Sequence, residues 1–266
     1  MQKLRKASLL LLICSTVAFV AFVVFDFLRQ DKTPPVITIP QEPCVMSVAD
    51  PKEKMLEGVT AKDNRSGDVT ASVVVEKVSS FLEDGSRIIT YAAIDGSGNV
   101  GRGERTLLYT DYQAPWFELS GPVRIAVNEM ADEILGNVHA VSPLDGDLTD
   151  KVKYHLINDN FIKGEGSYQI ELKVEDSAGM VTTLPTWLEV YDPKSEGIKI
   201  ELSTYLAYLT VGAEFDAGSY VKEVSVEGDL SVDTNVDTQV PGVYYADYTV
   251  NGGNTVGTTR LIVVVQ

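Results

Sequence analysis

The chain is poor in the residues that carry most enzyme chemistry. Among its 266 residues there are two histidines, His139 and His155, and two cysteines, Cys14 and Cys44. Cys14 falls inside an apolar run, so the rest of the chain holds one thiol. That excludes an internal disulfide and a multi-cysteine zinc site there, and Cys44 reads as a small buried hydrophobe. No H-E-x-x-H, G-x-S-x-G or Cys/His zinc spacing occurs, and neither histidine sits beside a nucleophile turn. No catalytic residue, and hence no enzyme activity, is expected. Gly96-Ser97-Gly98-Asn99-Val100-Gly101 matches G-x-G-x-x-G, but the glycine-broken Arg102-Gly103-Glu104-Arg105 leads into another strand. Without a helix N-terminus there is no row of free N–H groups for a pyrophosphate, so no nucleotide is expected.

Positive charge is also scarce. Lys and Arg number 22 against 38 Asp and Glu, a formal charge of −16. Residues 1–32 are locally basic, which leaves 17 basic against 36 acidic residues in the remainder. Such a surface repels phosphate backbones and excludes nucleic acid as a partner, while it attracts divalent cations. Beyond residue 32 no sustained apolar stripe of helical period is present, although Glu, Lys, Met, Ala and Leu favour short helical turns at 50–56 and 128–135.

Residues 7–25 run for nineteen positions without a charge, preceded by Lys3, Arg5 and Lys6. As a helix they span about 28 Å, the thickness of a bilayer's hydrocarbon core. The preceding cations place the N-terminus in the cytoplasm. A cleaved signal peptide competes with this reading, but the run exceeds the usual apolar region, and Phe25, Asp26, Phe27 and Leu28 offer no small-x-small cleavage site. The expectation is a cytoplasmic tail (1–6), an uncleaved transmembrane signal anchor (7–28) and a body outside the cell.

The body repeats itself. Gly67-Asp68-Val69-Thr70, Gly146-Asp147-Leu148-Thr149 and Gly228-Asp229-Leu230-Ser231 line up. Each is followed by a glycine that opens an alternating run, then by a second turn and a closing apolar run. Tyr168, Ile170, Leu172 and Val174 alternate with Gln169, Glu171, Lys173 and Glu175, the period of a half-buried antiparallel strand. The matching inward sets are Ile89, Tyr91 and Ala93, and Tyr244, Ala246, Tyr248 and Val250. Proline-bearing segments at 31–35, 111–115 and 192–197 separate the copies. The fold class is therefore all-β, with three tandem Ig-like β-sandwich domains at 33–111, 112–192 and 197–266 after the N-terminal helix.

The pattern resembles the Ig-like repeats of bacterial surface proteins, a family related to hyalin-type repeats and crystal-toxin Ig-like modules. Thr33-Pro34-Pro35-Val36-Ile37, Ala61-Lys62-Asp63-Asn64-Arg65-Ser66-Gly67-Asp68-Val69-Thr70 and the stretch from Ile89 to Asn99 carry the resemblance. The second copy has Met180 where a Gly-Asn pair is expected, and the third lacks the proline-rich opening. The resemblance implies an Ig-like fold at a cell surface, serving as spacer, adhesin or sugar-binding accessory.

Acidic turns are the main polar feature. Asp63, Asp68, Asp111, Asp145 and Asp147 are candidate calcium ligands, since calcium takes six to eight oxygens from carboxylates and carbonyls. Asp and Asn equally serve as Asx-turns, and no complete D-x-D-x-D-G loop is present. No other cofactor is expected. Trp116 and Trp187 sit at strand positions that favour core packing. Tyr205, Tyr208 and Tyr245 in the third copy are candidates for exposed ligand contact. The sequence thus predicts a single-pass surface protein that contacts another protein or a glycan, in a structural or adhesive role or as a carbohydrate-binding accessory. With no anchor motif at its C-terminus, the third copy is the expected tip.

Overall fold

Turns rich in Gly, Asp and Pro break the strand runs, and the longest runs that flank one turn pair with each other. The computed structural model describes residues 2–266 apart from Asn128, Met130, Asp159, Asn160, Glu196 and Asn254. Asn128, Glu196 and Asn254, which belong to a helical turn, a linker and a turn anticipated above, lie outside the described residues.

Helix α1 spans Gln2–Arg29. Its stretch Ser8–Phe25 is long and apolar enough to cross a membrane, as a signal segment also is, and none of it is buried in the protein. Ser15 and Thr16 donate their hydroxyls to the Leu12 carbonyl at 2.8 Å, so the polar side chains of the run are satisfied within the helix.

The β body is built from repeated pairs of sheets. The first sandwich comprises β1 (Val36–Thr38), β2 (Cys44–Met46), β3 (Thr60–Asp63), β4 (Gly67–Asp68), β5 (Val74–Val78), β6 (Arg87–Ile94) and β7 (Val100–Tyr109). The second comprises β8 (Trp116–Leu119), β9 (Arg124–Ala126), β10 (Val138–Ser142), β11 (Gly146–Asp147), β12 (Lys153–Leu156), β13 (Gly166–Glu175) and β14 (Val181–Tyr191). The third comprises β15 (Ile200–Leu202), β16 (Leu206–Leu209), β17 (Val221–Val224), β18 (Asp229–Thr234), β19 (Gly242–Asn251) and β20 (Val256–Val265). In each, a four-stranded sheet faces a smaller one: β2-β7-β6-β5 over β1-β3-β4, β12-β13-β14-β9 over β11-β10-β8, and β16-β20-β19-β18 over β15-β17. The smaller sheets hold only two or three short strands, which is why these sandwiches fit in fewer residues than the usual ~100.

The alternation read from sequence faces inward as expected. Ile89, Tyr91, Ala93, Ile170, Leu172, Val174, Ala246, Tyr248 and Val250 are all buried, whereas Tyr244 is only half-buried. Cys44 is buried, and that burial pushes its thiol pKa up. The anticipated helical turns are 3₁₀ turns at Lys52–Leu56 and Ala131–Leu135.

Two features differ from the sequence reading. Gly228-Asp229-Leu230-Ser231 does not reproduce the turn of its counterparts. Gly67-Asp68 and Gly146-Asp147 fold back on β3 and β10 as two-residue strands, whereas Asp229 begins the six-residue β18. The third sandwich lacks that small hairpin. The chain also divides into two compact units, Met1–Met46 with Asp50–Thr110, and Ser47–Ala49 with Asp111–Gln266. The second and third sandwiches thus belong to one unit, and a single cluster of buried side chains runs from Phe117 through Leu188 to Val265.

Candidate metal centre

Three segments of the first sandwich bring carboxylates together, and each is placed by its own turn. Asp95 opens the β6–β7 hairpin. Its Oδ1 accepts the N–H groups of Ser97 and Asn99 at 2.8 Å, and its Oδ2 accepts Asn99 Nδ2 at 2.7 Å. Asp63 ends β3, and its Oδ1 accepts the N–H groups of Arg65 at 2.9 Å and Ser66 at 2.5 Å. Asp31 lies between α1 and β1. Its Oδ1 accepts the Thr33 N–H at 3.1 Å, and its carbonyl accepts Asn99 Nδ2 at 3.1 Å. One amide, that of Asn99, therefore ties Asp31 to Asp95.

Asp31, Asp63 and Asp95 each present an oxygen, and these three atoms lie within 4.8 Å of one another. Asp63 is 3% exposed and Asp95 7%, while Asp31 is half-buried. Oδ2 of Asp31 and Oδ2 of Asp63 are buried and have no hydrogen-bond partner. The Ser66 amide holds Asp63 below the usual carboxylate range despite its burial. Burial pushes Asp95 up, but the donors on Asn99 and Ser97 outweigh both that and repulsion from Asp63. Two adjacent groups are thus anions at neutral pH. A set of hard oxygen donors suits a divalent cation such as calcium.

Of the five acidic candidates from sequence, only Asp63 joins this cluster. Asp68 and Asp147 are exposed and each accepts an N–H two residues on, from Thr70 and Thr149 at 2.9 Å. These are Asx-turns. Asp145 accepts the N–H and hydroxyl of Ser177 at 2.6 Å, and Asp111 accepts the Ser47 hydroxyl at 2.6 Å and the Val48 N–H at 2.9 Å. Asp95 was missed. The legible signal is its spacing to Asn99, with one residue capping the turn and the other bridging back to Asp31.

The second sandwich builds the same corner around one carboxylate that already has a donor on each oxygen. Asp176 takes the place of Asp95 and accepts the Ala178 and Met180 N–H groups at 2.9 Å. Tyr112 Oη donates to its Oδ2 at 2.6 Å. Ser142 replaces Asp63, its hydroxyl accepting the Leu144 N–H at 3.2 Å.

The three candidate tyrosines face protein. Tyr205 is buried, not exposed as expected, with its hydroxyl 3.4 Å from the Leu202 N–H. Tyr208 is 37% exposed, yet its hydroxyl meets both the N–H and the carbonyl of Phe117 at 3.2 Å. Tyr245 donates to the Pro185 carbonyl at 3.2 Å and lies 5.0 Å from the Arg260 guanidinium. Burial raises the pKa of both Tyr208 and Tyr245. The outward face of a free-standing third sandwich is here the seam against the second. Trp187, expected in a core, is half-buried in the same seam, 5.5 Å from Arg260. Trp116, also expected in a core, is half-buried too. His139 on β10 and His155 on β12 are exposed on different sheets.

No family model matches the chain. It is 24% identical over 174 residues to an uncharacterised 81.3 kDa protein of Acholeplasma phage L2, an alignment that covers 63% of this chain and 23% of that protein. Among solved structures it is similar to Drosophila N-cadherin EC1-3, with 10% identity, 90% of each chain covered and a TM-score of 0.29. It is also similar to the M60 catalytic domain with CBM51 domains of Clostridium perfringens ZmpB, with 10% identity, 87% of this chain and 30% of that one covered, and a TM-score of 0.22.

Proposed function

We propose that this is a single-pass membrane protein whose tandem Ig-like sandwiches stand outside the cell in a structural or adhesive role. The observation that carries this reading is the Ser8–Phe25 stretch. It carries no charged residue and is wholly unburied, and it leads into a body made of repeated sheet pairs. Leaving Leu9, Leu10, Leu11, Phe19 and Phe22 in water is unfavourable by about 2 kcal/mol per side chain, and lipid removes that cost. A non-catalytic role is supported by the separation of the two histidines onto different sheets and by acidic residues that close turns. The seam position of Tyr208 and Tyr245 favours a structural role for them over glycan stacking.

The test is accessibility in intact cells that express the full chain with a C-terminal epitope tag. Antibody should label unpermeabilised cells, added protease should abolish the label, and the tagged protein should stay with membranes through an alkaline carbonate wash. A label that requires permeabilisation, or release of the tagged protein by carbonate, overturns the placement.

A further inference from the structure

We propose that Asp31, Asp63 and Asp95 bind one calcium ion, which locks the segment leaving α1 onto the first sandwich. The three ligand atoms lie within 4.8 Å of one another. Two oxygens bound to one calcium at about 2.4 Å stand at most about 4.8 Å apart, so the cluster meets the spacing of a shared ion. Acidic clusters alone are common. This one also contains Asp63, only 3% exposed, whose carboxylate lies beside those of Asp31 and Asp95 and whose Oδ2 is buried without a hydrogen-bond partner. A buried anionic oxygen without a donor is strongly unfavourable, and the Asp31 and Asp95 ligand atoms within 4.8 Å of that of Asp63 are themselves carboxylate oxygens. A cation resolves both problems at once.

The remaining contacts prepare the site instead of filling it. On Asp63 and Asp31 the carboxylate hydrogen bonds go to Oδ1, which fixes the side chains and leaves each buried Oδ2 for the ion. Water completes the six to eight oxygens calcium requires. The contrast with the second sandwich is specific: there Tyr112 supplies a proton donor to Asp176, and Ser142 replaces the central carboxylate. In the third, Gly252 follows β19 where Asp95 follows β6, so that position offers no carboxylate. The site therefore belongs to the sandwich that directly follows α1. Asp31 is two residues past the end of that helix, so the ion bridges the linker to β3 and the β6–β7 turn.

The choice of calcium among divalent cations rests on the extracellular placement proposed above, where millimolar calcium is available and affinities of about 10⁻⁴–10⁻³ M suffice. Calorimetric titration of the detergent-solubilised full chain should show one calcium site in that range, with magnesium at least tenfold weaker. Calcium should raise the melting temperature over EDTA and slow tryptic cleavage after Lys32 about tenfold. Asp63→Asn should abolish all three responses while melting in EDTA no lower than the parent, because its amide keeps the Oδ1 acceptor and removes a repelling charge. Asp147→Asn should leave binding unchanged. Titration of the parent without heat or protection, equal affinity for magnesium, or calcium binding retained in Asp63→Asn would each overturn the site. Binding in detergent is blind to membrane sidedness. A protein that binds calcium but is labelled only after permeabilisation would sink the placement and leave the site standing.

Discussion

Tyr91 and Tyr248 hold the same place in the first and third sandwiches and do the same work. Both rings are fully buried. Tyr91 donates its hydroxyl to the Met55 carbonyl at 2.6 Å, and Tyr248 donates to the Ala217 carbonyl at 2.7 Å. Each acceptor sits in the 3₁₀ turn that precedes β3 or β17. Burial raises both phenol pKa values, that of Tyr248 to about 12, so each stays a donor throughout the neutral range. In the second sandwich the equivalent residue is Leu172, which packs without a bond to give. Period-2 alternation made the inward direction of these tyrosines legible, but it could not show what their hydroxyls reach, since the acceptors lie 36 and 31 residues away. Tyr91→Phe and Tyr248→Phe should each cost about 1–2 kcal/mol in urea denaturation, because a buried carbonyl loses its donor. A cost under a few tenths of a kcal/mol for both would show that the turns are held by something else.

At the scale of strands, the feature that makes each unit a sandwich is a sheet switch. The chain leaves the smaller sheet after β1, β8 or β15 and enters the larger one, where β2, β9 and β16 run parallel to β7, β14 and β20. Sequence patterning predicts the long antiparallel pairs β6–β7, β13–β14 and β19–β20 well. It is silent on these parallel partners, because three residues such as Cys44–Met46 or Arg124–Ala126 show no period. The switch requires the opening segment to pass closely over the closing strand. A Cβ on Gly101 would lie 1.9 Å from the Pro35 carbonyl oxygen, and one on Gly257 would lie 2.0 Å from that of Ile198. The second sandwich solves the crossing differently, with Thr182 there and its hydroxyl donating to the Pro115 carbonyl at 2.6 Å. Gly101→Ala should therefore destabilise the first sandwich by about 2–3 kcal/mol through overpacking. Thr182→Ala, at a crossing that already accommodates a Cβ, should lose only the hydrogen bond, about 1 kcal/mol. Both are read by chemical denaturation, and equal costs would mean that the glycine crossing is not tight.

At the scale of the molecule, repeat counting suggests three equivalent beads, and the structure joins the second and third. Their buried residues form one cluster, and the seam is fastened by Tyr208 on Phe117, Tyr245 on Pro185 and Arg260 beneath both Tyr245 and Trp187. Arg260 is itself fixed by a two-pronged pair with Asp247. Single-sequence reasoning treats the outward face of β19 as solvent, so Tyr245 looked like a ligand contact; only the neighbouring sandwich changes its role. This joining has a direct readout, because Trp116 and Trp187 are the only tryptophans and both belong to the second sandwich. If the two sandwiches melt as one cooperative unit, damage to the third must appear in the fluorescence of the second. Gly257→Ala, which crowds Ile198 within the third sandwich, should lower the tryptophan-monitored melting temperature by several degrees, about the shift that 1–3 kcal/mol produces in a domain of this size. The same variant should still give a single fluorescence transition. A tryptophan transition left where it is in the parent, with a separate loss of far-ultraviolet ellipticity at lower temperature, would show that the seam does not couple the two and that they melt as independent beads.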